Sequence, residues 1–182
     1  MPRLPVLAAA LVLAFSCSLD YGTGMVEELG QDTPDAVLVD FVHTVVEKGV
    51  PRFRLEAERG ESFQEAGTIR LSNVSFVEFE AGSDAILTEG RADSAVYITA
   101  TESAEMSGNV TFSRKPDSLD VESGYLRWDG EAKTLVGRAD TRTTLSFEGS
   151  SLSGSGFNAD ASRRTFSFTR RVDGTFTEGE AP

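Results

Sequence analysis

The sequence predicts an all-β protein built of antiparallel strand layers, and three observations carry that prediction. Apolar and polar residues alternate with period two along much of the chain from Ala36 onward. Turn-forming clusters punctuate the alternation at AGSD (81–84), RKPDS (114–118), WDGEAK (128–133) and EGSS (148–151). Strand starts also recur at Leu55, Leu87, Val121 and Leu152, with spacings of 32, 34 and 31 residues. No stretch after residue 35 holds a 3.6-residue period for three turns, so helices are not expected.

The N-terminus reads as a targeting segment. Arg3 supplies a basic start, Leu4 to Phe15 form an apolar run of 12, and Ser16 precedes Cys17. The run is too short to span a bilayer, which needs ~20 apolar residues. LAFSC resembles a bacterial lipobox, in which the Cys is acylated before cleavage; Ala14 stands three before Cys17, where Leu is usual. The expected reading is a signal peptide at 1–16 and a lipid anchor on Cys17. The alternative is an ordinary cleavage after Ser16 that leaves Cys17 unmodified. Residues 18–35 are acidic and Gly-containing without strong periodicity, as a tether would be. The domain is expected to span 36–178, with a tail at 179–182.

Within the domain, Phe53, Leu55 and Ala57 alternate with Arg54 and Glu56. IRLSNVSFVEF (69–79) changes its alternation at Asn73-Val74, which predicts a bulge there. AEMSGNVTFS (104–113) sets Ala104, Met106, Gly108, Val110 and Phe112 on one face. The Asp-Gly at 129–130 is the best hairpin signal. TRTTLSFEG (141–149) repeats the pattern of the two earlier segments. In RRTFSFTRRV (163–172), Phe166, Phe168 and Val172 share a face with Arg164 and Arg170. A period near 30 predicts stacked β-layers, because one isolated layer cannot bury its apolar face.

Charge and composition exclude several functions. The net charge is −12. Residues 1–16 hold one basic residue and no acid, so the rest of the chain stands at −13. Such a domain repels nucleic acid, and membrane attachment must come from an anchor rather than a basic patch. One Cys and one His provide neither an internal disulfide nor a zinc site by themselves, so no cofactor or metal is expected. Gly-rich phosphate loops, GxSxG and HExxH are absent. The 29 acids offer chance carboxylate pairs, and no enzyme activity is expected.

The L-S-N-V (71–74) and M-S-G-N-V (106–110) strands, behind an apolar N-terminus and an acidic linker, resemble the LptC family of lipopolysaccharide export proteins and their LptA and organic-solvent-tolerance relatives. MSGNV resembles the family's L-x-G-x-V strand. LDVESGYLRWDGEAKTLVG (119–137) resembles the strand–turn–strand that follows it. SLSGSGFNAD (151–160) with TFSFTRRVDGTF (165–176) resembles the closing stretch, Gly154 at the family's Gly and Phe176 at its terminal aromatic. The resemblance covers about residues 36–178. It departs in replacing the family's usual transmembrane helix with a lipid on Cys17, and in lacking a basic balance for an anionic ligand.

The resemblance implies a twisted β-jellyroll, open at its ends, on the periplasmic face of the inner membrane. It would bind acyl chains of lipopolysaccharide or a similar glycolipid. By edge-strand pairing it would join an ABC transporter's periplasmic domain and an LptA-like jellyroll. The inward apolar set expected to line such a groove is Phe53, Leu55, Ile69, Leu71, Phe76, Val96, Ile98, Met106, Val110, Phe112, Val121, Leu145, Phe147, Leu152, Phe157, Phe166 and Phe168. The same set would equally build a sealed core, in a structural or adhesive β-solenoid that binds only at its edges. The partner edge is expected at Gly154, Arg170, Arg171 and Phe176. Arg163, Arg164, Arg170 and Arg171 would be either a site for a lipid phosphate or acidic partner, or a solvated, charge-protected edge. Trp128 reads as a turn-flanking aromatic and His43 as structural.

Overall fold

The computed structural model describes residues 33–177; Cys17, the signal segment, most of the tether and the whole tail lie outside them. Among the described residues twelve antiparallel strands form one sheet: β1 (Ala36–Glu47), β2 (Val50–Phe63), β3 (Thr68–Phe79), β4 (Ile86–Ile98), β5 (Ser103–Arg114), β6 (Leu119–Asp129), β7 (Thr134–Val136), β8 (Arg142–Phe147), β9 (Ser150–Ser155), β10 (Asn158–Asp160), β11 (Thr165–Ser167) and β12 (Arg170–Thr175). The topology is a meander. β1 to β6 are long passes, each paired with the next. After β6 each pass is cut in two. One half of β6 pairs with β7, which leads through β10 to β11; the other pairs with β8, which leads through β9 to β12.

The cuts belong to a crease that crosses every pass. On β1, β3 and β5 it lies at Asp40, Asn73 and Gly108-Asn109, all with positive φ. Asn and Asp tolerate this left-handed conformation better than other residues with a Cβ. The repeated Asn-Val of the sequence is therefore the crease itself, with Val74 and Val110 turned inward behind it. On the outer side Asn73 Nδ2 donates to Glu58, and Asn109 Nδ2 donates to Asp93 Oδ2 at 2.8 Å. The register slips at the crease between Arg91 and Ser94 and between Ser107 and Val110. In later passes the crease widens into Gly137–Thr141, Gly156-Phe157 and Phe168-Thr169.

Two leaves of sheet result, one on each side of the crease. Their inner faces meet in a core that joins Val121 and Leu145 of one leaf with Ala95, Met106 and Leu126 of the other. The recurring strand starts fall on β2, β4, β6 and β9, so the repeat is one hairpin of two passes. Asp35, assigned by sequence to the tether, is already tied to the sheet: its N–H donates to Ser62 O at 2.8 Å, and its Oδ2 accepts from Gln64 N.

The turns refine the sequence reading. Lys48-Gly49 and Glu148-Gly149 are two-residue connections with φ positive at both positions, the arrangement a type I′ hairpin requires. Asp129-Gly130 forms no such turn. Asp129 pairs with Thr134 across a four-residue loop, and its Oδ1 accepts from the N–H groups of Glu131 and Ala132 at 3.2 and 2.9 Å. The side chain caps the turn itself, so Gly130 needs no positive φ. Gly130 is instead required because a Cβ there would lie 2.4 Å from the carbonyl oxygens of Thr101 and Glu102.

Candidate functional site: an apolar groove between the leaves

Directly paired residues on neighbouring strands share a face, so the register reads out the inner surface row by row. On one leaf a row runs His43, Leu55, Phe76, Gly90, Phe112, Val121, Leu145 and Leu152. On the other it runs Ser62, Ile69, Tyr97, Ala104, Trp128, Leu135, Ala159 and Phe166. Between these rows lies a groove of about 1250 Å³, open to solvent and lined mostly by apolar side chains of both leaves. A sealed core is therefore not what the sequence builds.

Large and small residues divide the work of making space. Phe53 stacks on Phe76 with ring centroids 5.8 Å apart, and Phe76 meets Phe112 edge-on at 5.1 Å. Ala92, Ala95 and Ala104 leave the neighbouring strands low. Gly90 admits the Phe76 ring: a Cβ there would sit 2.6 Å from that ring and 2.9 Å from the Thr111 carbonyl oxygen. Gly90→Ala is expected to cost about 1–3 kcal/mol by overpacking, measured by chemical denaturation. Gly124→Ala, whose new Cβ would stand 3.4 Å from Thr141, should stay within about 0.5 kcal/mol.

Most of the side chains that line the groove are uncharged. Tyr97 faces it, and desolvation, aided by the Glu102 carboxylate, pushes its phenol above the ordinary range. The charged groups of the lining include Arg114, whose Nε lies 3.0 Å from Asp117 Oδ2, and Asp160, whose Oδ2 lies 3.7 Å from Nε of Arg163. Among the described residues no cluster of His, Cys, Asp or Glu is placed to hold a metal ion.

Of the residues expected to line a groove, Phe53, Leu55, Ile69, Leu71, Phe76, Met106, Phe112, Val121, Leu145, Phe157 and Phe166 do so. Val110 is buried beneath the groove, and Phe168 packs behind Phe157. Phe147 and Leu152 lie on the inner face, paired with Leu119 and Leu145, but beyond the groove wall. Val96 and Ile98 are corrections, because they point to the outer face. Counting by twos from Gly90 and Ala92 reaches both. The extra residue at Asp93 shifts the phase by one and turns Ala95 and Tyr97 inward instead.

Sequence reasoning missed Leu126, which is 0% exposed, and gave Trp128 and His43 no place in the groove they line. Leu126 and Trp128 follow the same kind of phase shift, at Gly124. Counting by twos from Val121 passes over both.

Among the described residues the sheet has two open edges. β1 exposes Val37, Leu38, Val39, Val42, Val45 and Val46. The other edge, β11 and β12, exposes Phe166 and Val172, and Phe176, just after β12, is 68% exposed. Arg170 and Arg171 lie on β12, Arg171 with φ 52° where the pairing shifts. Gly154 is a correction, since it lies on β9, one strand inside the edge. It lets Phe168 lie flat, for a Cβ would come within 2.7 Å of that ring. The four arginines do not converge. Arg163 and Arg164 sit in the β10–β11 turn, Arg170 and Arg171 beyond the crease. Arg142 clamps the last strand to β8 through two bonds to Asp173 at 2.5 and 2.6 Å.

Comparison with known proteins agrees with this architecture. The crystal structure of LptH, the LptA-homologous periplasmic component of the conserved lipopolysaccharide transport device from Pseudomonas aeruginosa, is similar with a TM-score of 0.56 and 15% identity. The likeness covers 69% of this chain and 95% of that one, and at this identity it shows a shared fold. No curated protein matches the chain. Residues 5–177 match the family described as Lipopolysaccharide-assembly, LptC-related. With nearly its whole length matched, the chain belongs to the LptC-related lipopolysaccharide-assembly family.

Proposed function

We propose that this protein is a membrane-anchored bridge in the periplasm that carries lipopolysaccharide, or a related glycolipid, by its acyl chains. The observation that carries the reading is the open apolar groove between the leaves. Each methylene taken from water into such a surface contributes ~0.8 kcal/mol, which suits acyl chains and needs no bond chemistry. The two unpaired edges suit the rest of the task. An exposed Val-rich strand is a template for strand addition. β1 would receive a transporter's periplasmic domain, and β12 with Phe176 an LptA-like jellyroll, so that the groove continues into its neighbours. Energy for movement would come from the transporter's ATPase. A lipid on Cys17 would hold the domain at the inner membrane; two or more acyl chains give stable anchoring.

A photo-crosslinking residue at Phe112, inside the groove, is expected to capture lipopolysaccharide in cells. The same residue at Val96, on the outer face, is expected to capture none. Absence of lipid at Phe112 in native membranes, with the protein folded and abundant, would overturn the reading.

A further inference from the structure

The crease gives each pass a direction that alternation alone does not. On β1, Ala36 and Leu38 face inward before Asp40, and Phe41, His43 and Val45 face inward after it. Asp40 therefore has an outward neighbour, Val39, on the leaf of Tyr97 and Trp128, and an inward one, Phe41, on the leaf of Phe76 and Phe112. The next passes keep this order in space, as Arg59-Glu58-Ala57 on β2, Ser72-Asn73-Val74 on β3 and Ser94-Asp93-Ala92 on β4. Because neighbours run antiparallel, the order is written forwards along β1 and β3 and backwards along β2 and β4. Six undivided passes and three divided ones make an odd number among the described residues, so the last pass, β11 then β12, runs in the same sense as β1.

A second copy of this chain consequently fits the β1 edge poorly. Two β1 strands paired antiparallel with their creases aligned would set outward Val39 against inward Phe41. A slip of one residue restores the faces but opposes each Asp40 to Val39, which takes the two bends out of line. The last pass of another copy, laid beside β1 by translation, would run parallel to it, whereas every described ladder is antiparallel and parallel pairing is slightly the weaker. Yet β1 is not built to stay uncovered. Val37 and Val39 are exposed outward and Leu38 and Val45 inward, and from Ala36 to Val46 only Asp40 and His43 can carry charge. A strand apolar on both faces has the pattern of a sheet interior, without the charges that usually guard an edge.

We infer that β1 accepts a strand of a different protein that runs antiparallel to it. That strand reads inward, crease, outward from its N-terminus, as β2 does at Ala57, Glu58 and Arg59, and sets apolar residues against Val37 and Val39. The inference rests on the edge-pairing reading given above and adds the sense of the partner strand.

The test titrates the purified protein into fluorescently labelled peptides and follows their anisotropy. One peptide has the sequence of β2 (Val50–Phe63), one the same residues in reverse order, and one the sequence of β1 (Ala36–Glu47). The β2 peptide is expected to bind about tenfold or more tightly than either of the others, the effect of losing a few cross-strand pairs. Val39→Lys, at a side chain 61% exposed, leaves the fold in place and is expected to weaken the β2 peptide about tenfold. Equal or tighter binding of the reversed or the β1 peptide overturns the sense and leaves the groove and edges as read. Unchanged binding in Val39→Lys seats the peptide elsewhere and overturns β1 as the acceptor. If no peptide binds, the inference falls together with edge pairing at β1, while lipid capture at Phe112 still decides the groove.

Discussion

Leu126→Ala is expected to lower the unfolding free energy by about 2–5 kcal/mol, the usual cost of a large-to-small change at a closed site. Leu126 is fully buried and lies in the core that joins the two leaves. It follows the crease on β6 and pairs with Met106, so no nearby side chain is free to fill the space. A loss of this size is a large fraction of a domain's stability, which is generally about 5–15 kcal/mol. Chemical denaturation of the purified protein would measure it. Leu38→Ala gives the contrast, because Leu38 is 55% exposed on the edge strand β1, and the change should stay within about 0.5 kcal/mol. Equal losses at the two positions would mean that the leaves do not meet at Leu126.

Phe112→Arg is expected to weaken acyl-chain binding by about a hundredfold while leaving the fold in place. Phe112 is half-buried and borders open space, so an arginine stem can extend along the groove and carry its charge towards the rim. A bound acyl chain would trap that guanidinium against hydrocarbon. An uncompensated charge there costs ~3 kcal/mol or more, which corresponds to about two decades of affinity. Val96→Arg, on the outer face, should leave binding unchanged. Fluorophore displacement by one lysophospholipid in the two variants provides the comparison. Undiminished binding in Phe112→Arg would move the acyl site out of the groove.

The crease links the local sequence to both predictions. Without the left-handed turns at Asp40, Asn73 and Asn109, the period-two alternation would run unbroken and the sheet would present one continuous apolar face. With them, β1 to β4 and β6 each change phase once, β5 keeps its phase because two residues, Gly108 and Asn109, are passed over, and the two halves of that face turn towards each other. The chemistry that makes this possible is small and local, an Asx side chain that accepts positive φ. Its consequence spans the whole sheet, because neighbouring passes place their bends side by side and the outer bonds of Asn73 and Asn109 join them in pairs.

What the sequence determined by itself is the all-β fold, the places where most passes turn back, and most of one inner face. Alternation is a property of single strands, and turns depend on a few adjacent residues. Phe53, Leu55, Phe76 and Phe112 could therefore be placed inward from their immediate neighbours. The break in alternation at Asn73-Val74 was legible for the same reason, although it is a crease with the register kept on both sides and not the bulge expected. The tertiary structure alone decided which residues follow each phase shift, and so placed Ala95, Tyr97, Leu126 and Trp128 inward where counting by twos favoured Val96 and Ile98. It also decided that Gly154 lies inside the edge and that the leaves enclose a groove rather than a filled core. These depend on the pairing register and on the gap between leaves, which are set by contacts across many passes and cannot be read from any one of them.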